Sequence, residues 1–187
     1  MKKSILILLS IIFLGTCKCS ETLEVPDPKV GPVSFECEDL IITDANTDKM
    51  SDNSFSSSKN KLVISDDGGK TGFEIGCYRL GVARSISVIS VSIKAVGAGK
   101  RIDQGDRTVI LFRDGTRLTF SSRNSVRDAT FWISFGGVFG EEEALNELIT
   151  KEIETMRVWT RKGYVQKDFS NEQSKVLMNT LKCLSQL

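Results

Sequence analysis

Short strands joined by tight turns are the feature of this sequence that most limits the folds open to it. The clearest pair comprises 108–112 and 117–120, which flank the turn signal Asp114-Gly115. A tight turn reverses the chain, so such pairs form antiparallel hairpins. Further strands are predicted at 61–65, 72–78, 85–96, 129–135, 153–160 and 164–169. Within 85–96 the doublet Val88-Ile89 interrupts the alternation, which predicts a bulge or bend there.

The spacing of apolar residues changes to a helical period near the end of the chain. Residues 141–150 begin with three glutamates, whose negative charge complements the dipole at a helix start. Ser170 and Gln173 match a capping box, which predicts a final helix over 171–186. The apolar face of this helix consists of Leu177, Leu181 and Leu184.

These elements predict an α+β, β-rich domain. We expect an antiparallel curled sheet or barrel of seven to nine strands, closed by the C-terminal amphipathic helix. The order of the elements resembles that of a pleckstrin-homology barrel, and this likeness implies nothing about function. The stretch 44–60 is rich in Ser, Asn and Asp, which predicts a surface loop.

The first twenty residues have the organisation of a secretory signal peptide. Lys2 and Lys3 provide a positive start, and residues 5–14 are apolar apart from Ser10. A membrane span needs roughly 20 apolar residues, about twice the length of this run. We therefore expect residues 1–16 to be removed during export.

The sequence Leu14-Gly15-Thr16-Cys17 resembles the lipobox of bacterial lipoproteins, in which a leucine and two small residues precede a cysteine. The resemblance implies that Cys17 carries a lipid on its thiol, begins the mature chain and anchors the protein to a membrane of the cell envelope. Cleavage without lipidation, near Cys17 or Cys19, remains the alternative and would release a soluble exported protein. Residues 17–34 contain all three prolines and are predicted to form a tether, and 35–187 a single β-rich domain.

Five cysteines occur, at positions 17, 19, 37, 77 and 183. Lipidation of Cys17 would leave four, a number compatible with disulfides in an exported protein, and three connectivities are open. A bridge between Cys77 and Cys183 would join the last helix to the sheet. We slightly favour the alternative, in which Cys37, Cys77 and Cys183 are small buried side chains without a bond.

The composition excludes several chemistries. The chain has no histidine, so it cannot carry a histidine-based triad, proton shuttle or metal site. Its 25 basic and 24 acidic residues leave a formal charge of +1, which argues against a nucleic-acid partner.

Two local motifs were weighed for chemistry. Ser56 and Lys59 match an S-x-x-K motif, but they lie in the predicted loop rather than at a helix start. Asp44, Asn46 and Asp48 have the spacing of an EF-hand loop that lacks its glycine. We predict no catalytic residue, metal or cofactor.

The tryptophans and tyrosines are the candidates for ligand contact, and we select Trp159 and Tyr164. Alternation along the predicted strand puts Trp159 on the side of Arg157, away from Met156 and Val158. That arrangement would expose Trp159 for stacking on a sugar. Burial in the core or under a helix is the alternative, and the usual behaviour of tryptophan favours it.

The predicted function is therefore that of an exported, membrane-anchored lipoprotein acting as a non-catalytic binding module. Its partners would be the membrane, through the N-terminal lipid, and a protein or glycan of the periplasm or outer-membrane surface. The alternatives are a structural or accessory subunit of an envelope complex and, less favoured, a secreted histidine-free hydrolase. An exposed cluster around Trp159 would favour a glycan, whereas a bare sheet edge or large apolar patch would favour assembly.

Overall fold

A computed structural model describes most of the chain from residue 36 onward. The described residues are 36–43, 55–59, 61–65, 67–83, 86–97, 99, 101–137 and 140–187. They all belong to one compact unit, Ser34–Leu187. The predicted signal peptide (1–16), Cys17, the tether (17–34) and the EF-hand-like residues lie outside the described residues.

The described residues form ten strands in two antiparallel sheets, which we call the first and the second sheet. The first sheet contains β1 (Ile41–Thr43), β2 (Phe55–Ser58), β3 (Leu62–Ile64), β4 (Gly72–Ala83), β5 (Ile86–Val96) and β8 (Thr130–Phe135). The second contains β6 (Arg107–Phe112), β7 (Arg117–Ser121), β9 (Ile153–Thr160) and β10 (Gly163–Asp168). The strand orders are β1-β2-β4-β5-β8, with β3 also paired to β4, and β10-β9-β6-β7.

In the part of the chain that the structure describes, three helices accompany the sheets: α1 (Cys37–Leu40), α2 (Glu142–Thr150) and α3 (Asn171–Gln186). Helix α3 contacts α2 and several strands of the first sheet. The predicted capping box is present, because Ser170 Oγ accepts a hydrogen bond from Gln173 N at 3.2 Å and Gln173 Oε1 accepts one from Ser170 N at 2.9 Å. The three leucines of its apolar face are fully buried.

One apolar core joins the two sheets and the helices. Alternate side chains of both sheets enter it, since successive residues of a strand point to opposite faces. Its largest members are Phe73, Phe112, Phe131, Phe135, Ile75, Ile93, Ile110, Met156 and Leu181. Each sheet therefore packs one face against the core, and its opposite face is the outer face of that sheet.

The predicted β-rich antiparallel architecture is confirmed, but the predicted barrel is not found. Strands β7 and β8 follow one another in the chain, yet they are the edges of different sheets. The single bridge found outside the named strands of the described residues, Ile102–Val126, joins the connection between β5 and β6 to the connection between β7 and β8. Within the described residues the ladder of hydrogen bonds is therefore interrupted, and α3 packs against open sheets rather than closing a barrel.

Two further expectations were wrong. The register of β4 with β5 is continuous past Val88 and Ile89 and shifts only between Gly81 and Ala83. Val88 and Ile89 are both buried, so the doublet reflects a strand covered on both faces, not a bulge. The stretch 44–60 was predicted to be a surface loop, but β2 within it pairs with β1 and β4, so Ser56 and Ser57 lie in a strand rather than in a loop.

Candidate functional site

The outer face of the second sheet holds both residues selected from the sequence. Trp159 lies on the same side of β9 as Arg157, as the alternation predicts, whereas Met156 and Val158 are buried. Trp159 is partly exposed and is directly opposite Tyr164 on β10, which is 56% exposed. The expectation that Trp159 is buried was therefore wrong, because its position in the alternation outweighs its apolar character.

Arg157, Trp159, Tyr164 and Gln166 form a compact surface group, which we call the Arg157 cluster. The two ring centroids are 5.9 Å apart. The guanidinium carbon of Arg157 lies 5.2 Å from the centroid of Trp159 and 4.6 Å from that of Tyr164. Gln166 Oε1 accepts hydrogen bonds from Arg157 Nε, at 2.7 Å, and from Arg157 Nη2. The cation is thus held against two aromatic rings in a defined orientation.

The strand register extends this cluster across the sheet. Val109 on β6 pairs with Arg157 and also with Thr119 on β7, so these residues form one row on the outer face. The next outward position of β6 is Arg107, beside Trp159. A shallow groove of about 470 Å³ follows these strands. It is lined by Gly105, Asp106, Arg107, Val109, Arg117, Thr119 and Trp159.

Three arginines are concentrated on this face. The charged side chains at the outward positions of its strands are Arg107, Arg117, Arg157 and Asp168, and Asp106 lines the groove beside Arg107. Asp168 Oδ1 accepts a hydrogen bond from Thr155 Oγ1 at 2.7 Å, so one of the hydrogen bonds that this carboxylate can accept is already made within the sheet. Because guanidinium groups stay protonated at all physiological pH values, these arginines keep their charge. It offers aromatic rings and fixed cations side by side.

Comparisons with known proteins find no counterpart. No protein-family model, curated protein or solved structure matches this chain. Among the described residues, no helix has the length and apolar character that a membrane span requires. The case for a function therefore rests on the residues of the chain itself.

Two of the groups with shifted pKa values form an ion pair, because Lys151 Nζ lies 3.4 Å from Asp114 Oδ2, whereas Asp67 lies in a separate turn. Hydrogen bonds from Thr71 and Thr116 lower the pKa values of the Asp67 and Asp114 carboxyls, and a bond to Glu147 is the main cause that raises the pKa of Lys151. Asp67 and Asp114 are exposed, and Lys151 is half-buried. Each shift has a partner within four residues in the chain, as expected of turn and helix-end structure rather than a reaction centre.

Two observations concern reactive and metal-binding groups among the described residues. Burial raises the pKa of the Cys77 thiol to about 12, which suppresses its reactive thiolate. No group of three or more Cys, Asp and Glu side chains comes together within the described part of the chain.

The sequence pointed to Trp159 and Tyr164 but missed Arg107 and Arg117. These arginines come 42 to 57 positions before Trp159 and Tyr164 in the chain and reach the site only because β6 lies between β9 and β7. No local pattern marks them. Only knowledge of the strand order would have placed them beside Trp159.

Proposed function

We propose that this protein is an exported, lipid-anchored, non-catalytic module that binds an acidic glycan through the outer face of its second sheet. The Arg157 cluster is the observation that carries the proposal. A pyranose ring has an apolar C–H face, which suits the rings of Trp159 and Tyr164. A carboxylate or sulfate on the same or a neighbouring sugar suits the guanidinium groups, which bind such anions in bidentate geometry.

Charge and size favour a chain of sugars over a single one. Arg107 and Arg117 lie on different strands from Arg157, and all three are outward-facing. A ligand with repeated anionic groups would engage several of them in turn. The shallow groove along β6 and β7 is open, as a binding site for an extended polymer needs to be.

Export is supported by two independent features. The first is the signal-like sequence of residues 1–16 with its lipobox-like ending at Cys17. The second is the bond between Cys37 and Cys183, because disulfides persist chiefly in oxidising compartments outside the cytosol. In such a compartment glycans are abundant, whereas nucleic acids are not the expected ligand.

Binding of acidic glycans tests the proposal directly. Oligogalacturonate, hyaluronate and dextran sulfate would be titrated by calorimetry against the wild-type protein, Arg157→Gln and Tyr164→Ala. We expect each variant to weaken binding about tenfold, the effect of losing one charge-assisted contact or one aromatic anchor. Arg127→Gln is the charge-matched control, because Arg127 is exposed in the loop that joins β7 and β8.

Three outcomes would count against this function. The first is absence of binding to all three polymers at low salt. The second is equal loss for Arg127→Gln and Arg157→Gln, which would indicate a diffuse charge effect. Tighter binding to single-stranded DNA of the same charge would instead favour a nucleic-acid partner.

Anchoring needs a separate measurement. Protein taken from native membranes would be analysed by intact mass, before and after reduction and alkylation. We expect a mass that begins at Cys17 and includes acyl chains. An unmodified chain beginning near Lys18 or Ser20 would leave a soluble exported protein and overturn the anchor.

Assembly through a sheet edge is the second candidate function. Strand β8 is an edge of the first sheet, and Trp132 on it is 54% exposed. Unpaired edges can add a strand from another chain, and neither Thr130 nor Trp132 supplies the charge that usually blocks this. Light scattering of the purified protein against its concentration tests self-assembly, and a monomer at all concentrations would count against it.

A further inference from the structure

Among the described residues, the aromatic side chains whose burial is known are divided between the core and the surface by type. The aromatic side chains buried in the described core are all phenylalanines: Phe73, Phe112, Phe120, Phe131, Phe135 and Phe169. The two tryptophans and two tyrosines of the whole sequence lie on outer sheet faces instead. They form two Trp–Tyr pairs, one on each sheet. The pair on the second sheet belongs to the Arg157 cluster, and the pair on the first sheet, Tyr78 with Trp132, has no role so far.

Tyr78 and Trp132 come from two strands that flank β5. Tyr78 on β4 pairs with Ser90, and Trp132 on β8 pairs with Ser92, so both rings rise from the same outer face. Their centroids are 5.7 Å apart and their planes differ by 36°. The two rings therefore form a continuous aromatic surface across three strands, which we call the Trp132 platform.

Small residues beneath the platform allow the rings to lie close to the sheet. A Cβ atom on Gly76 would come within 2.8 Å of Tyr78 Oη and 3.0 Å of Ser92 Oγ, so the tyrosine ring lies over this glycine. Ser90 and Ser92 are only 6% and 9% exposed although they are on an outer face. Trp132 nevertheless keeps 54% of its surface exposed. One side of the platform is thus packed on the sheet while the other faces solvent.

Trp132 lines two separate hollows. One, of about 300 Å³, extends toward Ser122, Arg123, Asn124 and Glu141. The other, of about 280 Å³, extends toward Lys61, Glu74, Lys94 and Asp128. An occupant stacked on Trp132 would therefore have room to continue into either hollow.

The charges around the platform cancel. The ionised side chains that line the two hollows are Arg123, Glu141, Lys61, Glu74, Lys94 and Asp128, three basic and three acidic. Lys94 Nζ is 3.6 Å from Glu74 Oε2, and Arg123 Nη2 is 3.7 Å from Glu141 Oε1. This balance contrasts with the three arginines around Trp159. The rim supplies donors and acceptors of both kinds without a net charge.

We propose that the Trp132 platform is a second binding site, which takes a neutral oligosaccharide. The C–H face of one sugar ring stacks on Trp132 and Tyr78, and its neighbours occupy the two hollows. Sugar hydroxyls both donate and accept hydrogen bonds, which matches carboxylates, ammonium groups and the Asn124 amide at the rim. The protein then holds two glycans of different charge, one on each sheet. This proposal does not depend on the acidic-glycan site.

The two tryptophans make a direct test possible. The uniformly ¹⁵N-labelled protein contains two indole N–H groups, one in the Trp132 platform and one in the Arg157 cluster. The variant Trp132→Phe assigns their NMR signals. Cellohexaose, maltohexaose and chitohexaose serve as neutral probes, and an oligogalacturonate serves as the acidic one. We expect at least one neutral probe to shift the Trp132 signal with saturation while the Trp159 signal stays in place.

Matched alanine variants complete the test. Trp132→Ala should weaken binding of the neutral probe about tenfold, as loss of a central aromatic contact does, whereas Trp159→Ala should leave it unchanged. Thermal unfolding of both variants checks that the fold is intact. The proposal is overturned if no neutral probe moves the Trp132 signal at millimolar concentration, or if the neutral probe shifts Trp159 instead. Failure of the acidic probe alone would refute the acidic-glycan site and leave this one standing.

Discussion

The bond between Cys37 and Cys183 is predicted to be a major contributor to the stability of the domain. It joins α1 to the last turn of α3, with 5.4 Å between the Cα atoms, and closes a loop with a sequence separation of 146 residues. Almost every strand and helix lies inside that loop. Replacing both cysteines by alanine removes the crosslink with little change in the apolar packing around Cys183.

The size of the effect follows from the length of the loop. A crosslink restricts the unfolded chain more strongly as the loop grows, and the chain-entropy relation predicts about 5 kcal/mol for this separation. Removal of native disulfides typically costs about 2–5 kcal/mol. Since domains have a net stability of about 5–15 kcal/mol, the variant would lose a third or more of it. The midpoint of thermal unfolding should fall by roughly 10 °C or more, at about 2–4 °C for each kcal/mol.

Urea unfolding measures this loss at constant temperature. The wild-type protein, the double alanine variant and the wild type reduced with dithiothreitol would be compared by the free energy of unfolding and the slope against urea. We expect the reduced protein and the variant to agree, because both lack the same crosslink. A loss below about 1 kcal/mol in both would refute the reasoning, since it would mean that the bond hardly restricts the unfolded chain.

Three further predictions concern single positions. The hydroxyl of Thr108 is buried without a hydrogen-bond partner in the described structure, so Thr108→Val should raise the free energy of unfolding by about 1 kcal/mol in urea titrations, and a lower value would contradict this. Hydrogen bonds from Thr71 keep the pKa of Asp67 below its ordinary value of 3.8. The stability that ionised Asp67 contributes is therefore present above that pH and is lost as the pH falls further. Asp67→Asn should unfold at lower urea concentration at pH 7, and its free energy of unfolding should change less with pH in acid. Cys77 is buried with a raised pKa, so iodoacetamide followed by mass spectrometry should label it only in denaturant, and rapid labelling of the native protein would be inconsistent with its burial.

Local signals in the sequence were sufficient to predict the elements whose stability is itself local. The final helix begins after Ser170 because the capping box is complete within four residues, and it ends at Gln186 as the pattern indicated. The turn at Asp114-Gly115 joins β6 and β7 because the residues that reverse the chain adjoin each other. These features need no partner from elsewhere in the chain.

Elements that depend on distant partners were missed. Strand β2 has no apolar alternation in Ser56, Ser57 and Ser58, and it exists because β4 offers a long edge for pairing. The disulfide also depends on a distant partner and was also missed. Cys37 was expected to be free, and the bridge considered for Cys183 was one to Cys77. The expectation of a buried thiol was correct for Cys77, and Cys183 pairs instead with a residue 146 positions away.

The separation of aromatic types is the strongest reason to consider recognition rather than stability as the purpose of the outer faces. A core built only for folding gains most from its largest apolar side chains, yet the described core uses phenylalanine and leaves Trp132 largely in water. A single exposed aromatic residue would carry little information, because folded proteins expose much apolar surface. Here exposure recurs as a pair on each sheet, and each pair lies among polar groups that suit a different charge of ligand. Since Trp132 contributes little to burial, Trp132→Ala should cost much less in folding than Phe131→Ala, its buried neighbour. For binding of the neutral oligosaccharide at the Trp132 platform, the order should be reversed: Trp132→Ala should weaken binding more than Phe131→Ala, because only Trp132 faces the solvent.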